Sequence, residues 1–74
     1  MKVLFNNSET SLRIKGLRLH SKLSIDDLSV KIGISKSLLY KYERGLNIPS
    51  ISNVIKICNF YNVKVDDLII YKVQ

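Results

Sequence analysis

The chain has 74 residues, 46% of them hydrophobic, and carries 12 Lys and Arg against 6 Asp and Glu, a formal net charge of +6. Such a length supports one small domain, residues 1–74, with a thin core, and excludes a large enzyme with a deep substrate cleft. The surplus of positive charge points to a polyanionic partner, either nucleic acid or an anionic membrane face. One Cys cannot form an internal disulfide, and one Cys with one His cannot build a tetrahedral zinc site. A reducing cytoplasm therefore fits, and no metal or cofactor is expected. No apolar stretch approaches the ~20 residues that span a bilayer. The start, Met1 to Phe5, meets Asn6-Asn7 too early for the apolar core of a signal peptide, so no leader is expected.

Apolar residues recur mostly at spacings of three and four, which predicts helices. Residues 10–21 read as the first, capped by Thr10 or Ser11, with Leu12, Ile14, Leu17 and Leu19 as its apolar positions. Gly16 within it is either a tolerated weakness of about 1 kcal/mol relative to Ala or a point of close backbone approach. Ser24 caps a second helix whose first turn holds Asp26 and Asp27, where the helix dipole favours negative charge. Leu28 and Ile32 face inward, and Gly33 ends the helix. Ser35 caps a third, 36–43, with Leu39 and Tyr42 inward and Gly45 closing it. Two short helices around a glycine turn make a helix-turn-helix arrangement.

After the loop 46–49, Ser50 caps a fourth helix, 51–61, with Ile51, Val54, Ile55, Ile57, Cys58 and Tyr61 apolar. Asn62 suits a left-handed terminal position. A short fifth helix follows at 65–69. Four of the six acids thus fall in first turns of helices, which leaves Lys36, Lys41 and Arg44 on the third helix and Arg13, Lys15, Arg18 and Lys22 on the first little cancelled.

These motifs together resemble one family. Ile14 to Arg18 is similar to its first-helix motif. Leu23-Ser24-Ile25-Asp26-Asp27-Leu28-Ser29 is similar to its "L-[ST]-Q-E-E-L-A" start of helix two, and Gly33-Ile34-Ser35 to its turn. Tyr42-Glu43-Arg44-Gly45 followed by Pro49-Ser50 is similar to "I-E-R-G…P-S", and Asn62 to Leu68 to "G-V-S-L-D-E-L". Any one of these is weak, but in order and at these spacings over residues 12–69 they resemble the phage-repressor (Cro/cI-like, xenobiotic-response-element) helix-turn-helix domain.

The resemblance implies an all-α, five-helix, lambda-repressor-like DNA-binding domain whose third helix enters the major groove. It implies base contacts from Lys36, Ser37, Tyr40 and Lys41. Lys can donate to guanine O6/N7, and Ser can contact several base edges. Tyr40 offers a ring and a hydroxyl. The plain alternative is a solvated charged face. Phosphate contacts are implied for Ser24, Ser35, Arg44 and Asn47, although the two serines are also fully explained as caps. The resemblance further implies a structural ion pair between Arg18 and Glu43. Two positions depart from the family: Ile25 stands where Gln is frequent, and Leu46 where Lys or Arg is favoured. Both departures remove contacts to the DNA backbone.

The ends, Lys2 to Phe5 and Ile69 to Val73, are β-branched and aromatic-rich and are predicted to pair as a two-stranded antiparallel ribbon. That ribbon, or the fourth and fifth helices with it, is a candidate dimer surface. Cys58 reads as buried, inert packing and His20 as a surface residue.

The expected function is a sequence-specific DNA-binding transcriptional regulator, a dimeric repressor reading a palindromic operator through 36–43. The alternative is an antitoxin or protein-interaction adaptor with a toxin or other protein partner. An enzyme is not expected, since no phosphate-binding glycine loop and no nucleophile–base pair appears. Membrane-surface binding is not expected either, because the basic residues do not form one face of a long amphipathic helix.

Overall fold

The computed structural model describes residues 2–74. Its elements run β1 (Val3–Phe5), α1 (Asn7–His20), α2 (Ile25–Ile32), α3 (Lys36–Glu43), α4 (Ile51–Tyr61), α5 (Val65–Leu68) and β2 (Tyr71–Val73). The serines set three of the helix starts. Ser24, Ser35 and Ser50 each accept, at Oγ, a hydrogen bond from the backbone N–H three residues on, at 3.0, 3.2 and 3.3 Å. Each bond satisfies one of the donors that a helix start leaves without an internal partner. The bounds of α2, α3 and α4 match those read from the sequence.

α1 does not match. It starts at Asn7, where Asn6 Oδ1 accepts from the Glu9 N–H at 3.0 Å. Thr10 and Ser11, the expected caps, lie buried inside the helix. A tertiary bond explains the shift: the Ile70 N–H donates to Thr10 Oγ1 at 3.1 Å, so this hydroxyl serves the C-terminal strand rather than a helix start. α5 ends one residue early because Ile69 turns extended on the way into β2.

One fully buried side chain comes from each helix: Ile14, Leu28, Leu39, Ile57 and Leu68. Ile32, Ile34, Tyr42, Val54 and Cys58 complete the core. Of the apolar positions read in α1, Leu12 and Leu19 are exposed. At about 100° per residue they lie more than a third of a turn from Ile14. Ile55 of α4 is exposed for the same reason relative to Ile57, whereas Ile51 lies within about 20° of the buried Cys58 and is exposed because it is the first residue of its helix. A Cβ at Gly16 meets nothing within 4 Å, so no backbone approaches there and the tolerated weakness is the correct reading.

The turn after α1 closes through Lys22 N–H to Leu19 C=O at 3.1 Å and Leu23 N–H to Arg18 C=O at 3.3 Å, with Lys22 at φ 60°. Glycine usually occupies that left-handed position, as Gly45 does after α3 at φ 71°.

The termini pair as expected. β1 and β2 are antiparallel, with Val3 opposite Val73, Leu4 opposite Lys72 and Phe5 opposite Tyr71. Backbone bonds of Lys2 with Gln74 and of Asn6 with Ile70 extend the ladder at both ends. No helix among the described residues is long and apolar enough to cross a membrane.

Candidate nucleic-acid interface

α3 buries Leu39, Tyr42 and Glu43 and turns its opposite side to solvent. Lys36, Ser37, Tyr40 and Lys41, at positions i, i+1, i+4 and i+5, form one exposed stripe on that side. Arg44 continues it at the helix exit, and its guanidinium lies 5.2 Å from the centroid of the Tyr40 ring. This stack fixes the direction of both side chains. Ser24, Ser35 and Asn47 are exposed as well. The two serines spend an acceptor on their caps, which leaves each O–H as a donor.

The stripe is held from behind. Arg18 Nε and Nη2 donate to the two carboxylate oxygens of Glu43 at 2.7 and 2.9 Å, and Nη1 donates to the Leu23 carbonyl at 3.0 Å. One guanidinium therefore ties α1, the turn into α2, and the end of α3. The side chains of this pair are 13% and 5% exposed. The hydrogen bond to Glu43 is the main reason the Arg18 guanidinium is held above its ordinary range, against a smaller opposing effect of burial.

Three further contacts fix the pose of α3. Asn53 Nδ2 donates to the Tyr42 hydroxyl at 2.8 Å, which joins α4 to α3. Asn7 Nδ2 donates to the Gly45 carbonyl at 2.9 Å, which joins α1 to the exit of α3. Ser29 Oγ donates to the Ile34 carbonyl at 2.7 Å and stiffens the turn between α2 and α3. Asn7 could not be read from sequence, because the first helix was expected to start three residues later. No buried side-chain polar atom among the described residues lacks a partner.

One of the site residues has surroundings that spacing alone does not show. The Lys36 ammonium sits 2.9 Å from Asp26 Oδ1 on α2, an ion pair whose side chains are 67% and 69% exposed. Asp26 therefore does more than favour the start of its helix. Ile25 packs partly against the core, whereas Leu46 is exposed. Cys58 is buried among apolar side chains, and burial pushes its thiol above the ordinary range, which keeps it unreactive. His20 is exposed.

Comparison with known proteins fits this geometry. Residues 14–68 match the helix-turn-helix family HTH_3. The chain belongs to that family. It is 33% identical over 60 residues to the HTH-type transcriptional regulator MJ0272 of Methanocaldococcus jannaschii, a match covering 81% of this chain and 91% of that protein. It is 30% identical over 59 residues to the cryptic phage CTXphi transcriptional repressor RstR of Vibrio cholerae, covering 80% of this chain and 53% of the repressor.

Among solved structures, an HTH_3 family transcriptional regulator from Vibrio cholerae superposes with a TM-score of 0.75 at 29% identity, over 84% of this chain and 35% of that one. The restriction-modification controller protein C.AhdI of Aeromonas hydrophila shares the fold, with a TM-score of 0.77 at 24% identity over 85% of this chain and 96% of the controller. The chain thus spans nearly all of MJ0272 and about half of RstR. It is a helix-turn-helix domain of the transcriptional-regulator kind.

Proposed function

We propose that the chain is a cytoplasmic, sequence-specific DNA-binding repressor that reads a palindromic operator as a twofold dimer. The observation that carries this reading is the exposed stripe Lys36, Ser37, Tyr40 and Lys41 on a helix pinned by Arg18 and Glu43. In this reading α3 lies in the major groove and the stripe meets base edges. Ser24 and Ser35 donate their free O–H groups to phosphates, joined by Arg44 and Asn47 at the α3 exit. The repressor RstR supports a block on transcription as the outcome of operator binding.

The roles separate by mutation. Lys41→Ala changes the preferred base at particular positions, at about 1–3 kcal/mol for the affected pair. Arg44→Ala weakens all duplexes alike and lowers the salt dependence by about one counterion. Titration of a panel of single-base variants at several salt concentrations checks both. Identical effects of the two substitutions would contradict the assignment.

A second copy covers the apolar face around a cleft of about 230 Å³ lined by Phe5, Thr10, Ile48, Pro49, Ile51 and Val65 among others. Ile51 is 71% exposed there. No lining residue is charged, so it is a face on which two chains of charge +6 meet with little repulsion. A stable pair needs ~800 Å² from each partner. The cleft continues onto the ribbon through Phe5, which lengthens the face available for that burial. Twofold pairing sets two reading helices ~34 Å apart on successive half-sites. Ile51→Glu is expected to shift sedimentation from the dimer to the monomer mass. A wild-type chain that sediments as a monomer at all concentrations would contradict the pairing, and a protein partner captured on this face would favour the adaptor reading.

A further inference from the structure

Asp26 stands in the second position of α2 and bonds to the ammonium of Lys36, the first residue of α3, at 2.9 Å. Both side chains are largely in water, so the bond adds little to stability. Its geometry matters more than its energy. A free Lys side chain samples many rotamers and gives up that freedom when it contacts DNA. Here one of its three N–H donors is already committed to a carboxylate fixed on the neighbouring helix, and two remain.

An acidic side chain on a DNA-facing edge would repel phosphate, yet this one is neutralised by the lysine it holds. Asp27, the next residue, has the same charge and the same first-turn position. Among the described residues, the salt bridges are Arg18 with Glu43 and Lys36 with Asp26, so Asp27 makes no such bond. The pairing is therefore not a general consequence of acids at a helix start.

We propose that Asp26 is a positioning residue for base reading: it biases the Lys36 ammonium toward the start of α3, leaves two donors for a base edge, and competes with neighbouring phosphates for the lysine. This rests on the DNA-binding reading above. At the correct site Lys36 meets a base acceptor without leaving Asp26. At any other sequence it reaches a phosphate only by giving up Asp26. The pair thus raises the contrast between the right site and all others.

The test compares Asp26→Asn with Asp27→Asn, each bound to a duplex selected for tight binding and to a duplex of random sequence. Asp26→Asn is expected to weaken the selected duplex about three- to tenfold, as rotamer freedom returns to Lys36. It is expected to strengthen the random duplex, about fivefold at 0.1 M salt, with the log–log salt slope steeper by about 0.9 for each lysine freed. Asp27→Asn should shift both duplexes the same way. Asp26→Glu should restore part of the contrast, and Asp26→Asn should have no such effect on a Lys36→Ala background.

Equal shifts of the two duplexes in Asp26→Asn, or the same split in Asp27→Asn, would overturn the proposal while leaving DNA binding standing. Absence of duplex binding by the wild-type chain would instead overturn the functional reading, and this proposal with it.

Discussion

Glu43→Ala is expected to lower the free energy of unfolding by about 3 kcal/mol, because removing one partner of a buried pair leaves the other charge uncompensated. Arg18 would keep only its bond to the Leu23 carbonyl, with Nε and Nη2 facing an empty site at low exposure. A domain of this size has a total stability of roughly 4–11 kcal/mol, so the change removes a large part of it. Glu43→Gln, which keeps the shape and one acceptor, should lose less. The raised Arg18 contributes stability that disappears only as pH climbs through its elevated folded-state value. The effect should therefore be the same at pH 6 and pH 8. Urea unfolding of the two variants and the parent checks it; a Glu43→Ala midpoint equal to that of the parent contradicts the bracing role.

Leu39→Ala is expected to cost about 2–5 kcal/mol, as a fully buried leucine leaves a cavity that a close-packed core fills only in part. Leu39 is 0% exposed and sits on the inner side of α3. Leu46→Ala, three residues beyond the end of α3 and exposed, should stay within about 0.5 kcal/mol of the parent. Thermal unfolding of the two variants measures the contrast. Equal midpoints would mean that α3 does not pack as described. The two large effects come from the same helix and bear on the same structural point: the exposed stripe keeps its pose only if its back is held.

Much of this architecture is legible in the sequence because its punctuation is local. A serine before each of three helices, glycine after two of them and Asn62 after the fourth each act within a few residues, through cap bonds and left-handed turns. The start of α1 was not legible. Asn6, Ser8, Thr10 and Ser11 are all residues that cap helices; Asn6 takes the cap, while the Thr10 hydroxyl accepts from the Ile70 N–H, sixty positions away. Leu12, Leu19 and Ile55 show the other limit: an apolar residue at near-helical spacing need not share the buried face when that face is narrow.

In the candidate site, the exposed stripe could be placed from helix periodicity once Leu39 and Tyr42 were set inward. The stack of Arg44 on Tyr40 is an i, i+4 contact that the sequence does contain. The bonds of Lys36 to Asp26 and of Asn7 to Gly45 depend on how separate helices pack, and no local pattern announces them.

In the proposed function α3 chooses a sequence and does more than bring charge to DNA. Selection of bound molecules from a pool of random duplexes, followed by salt titration of the winner and of the starting pool, addresses it most directly. A palindromic winner with half-sites about one helical turn apart, bound far more tightly than the pool, is expected. Equal micromolar binding of winner and pool, or no enrichment at all, would contradict it.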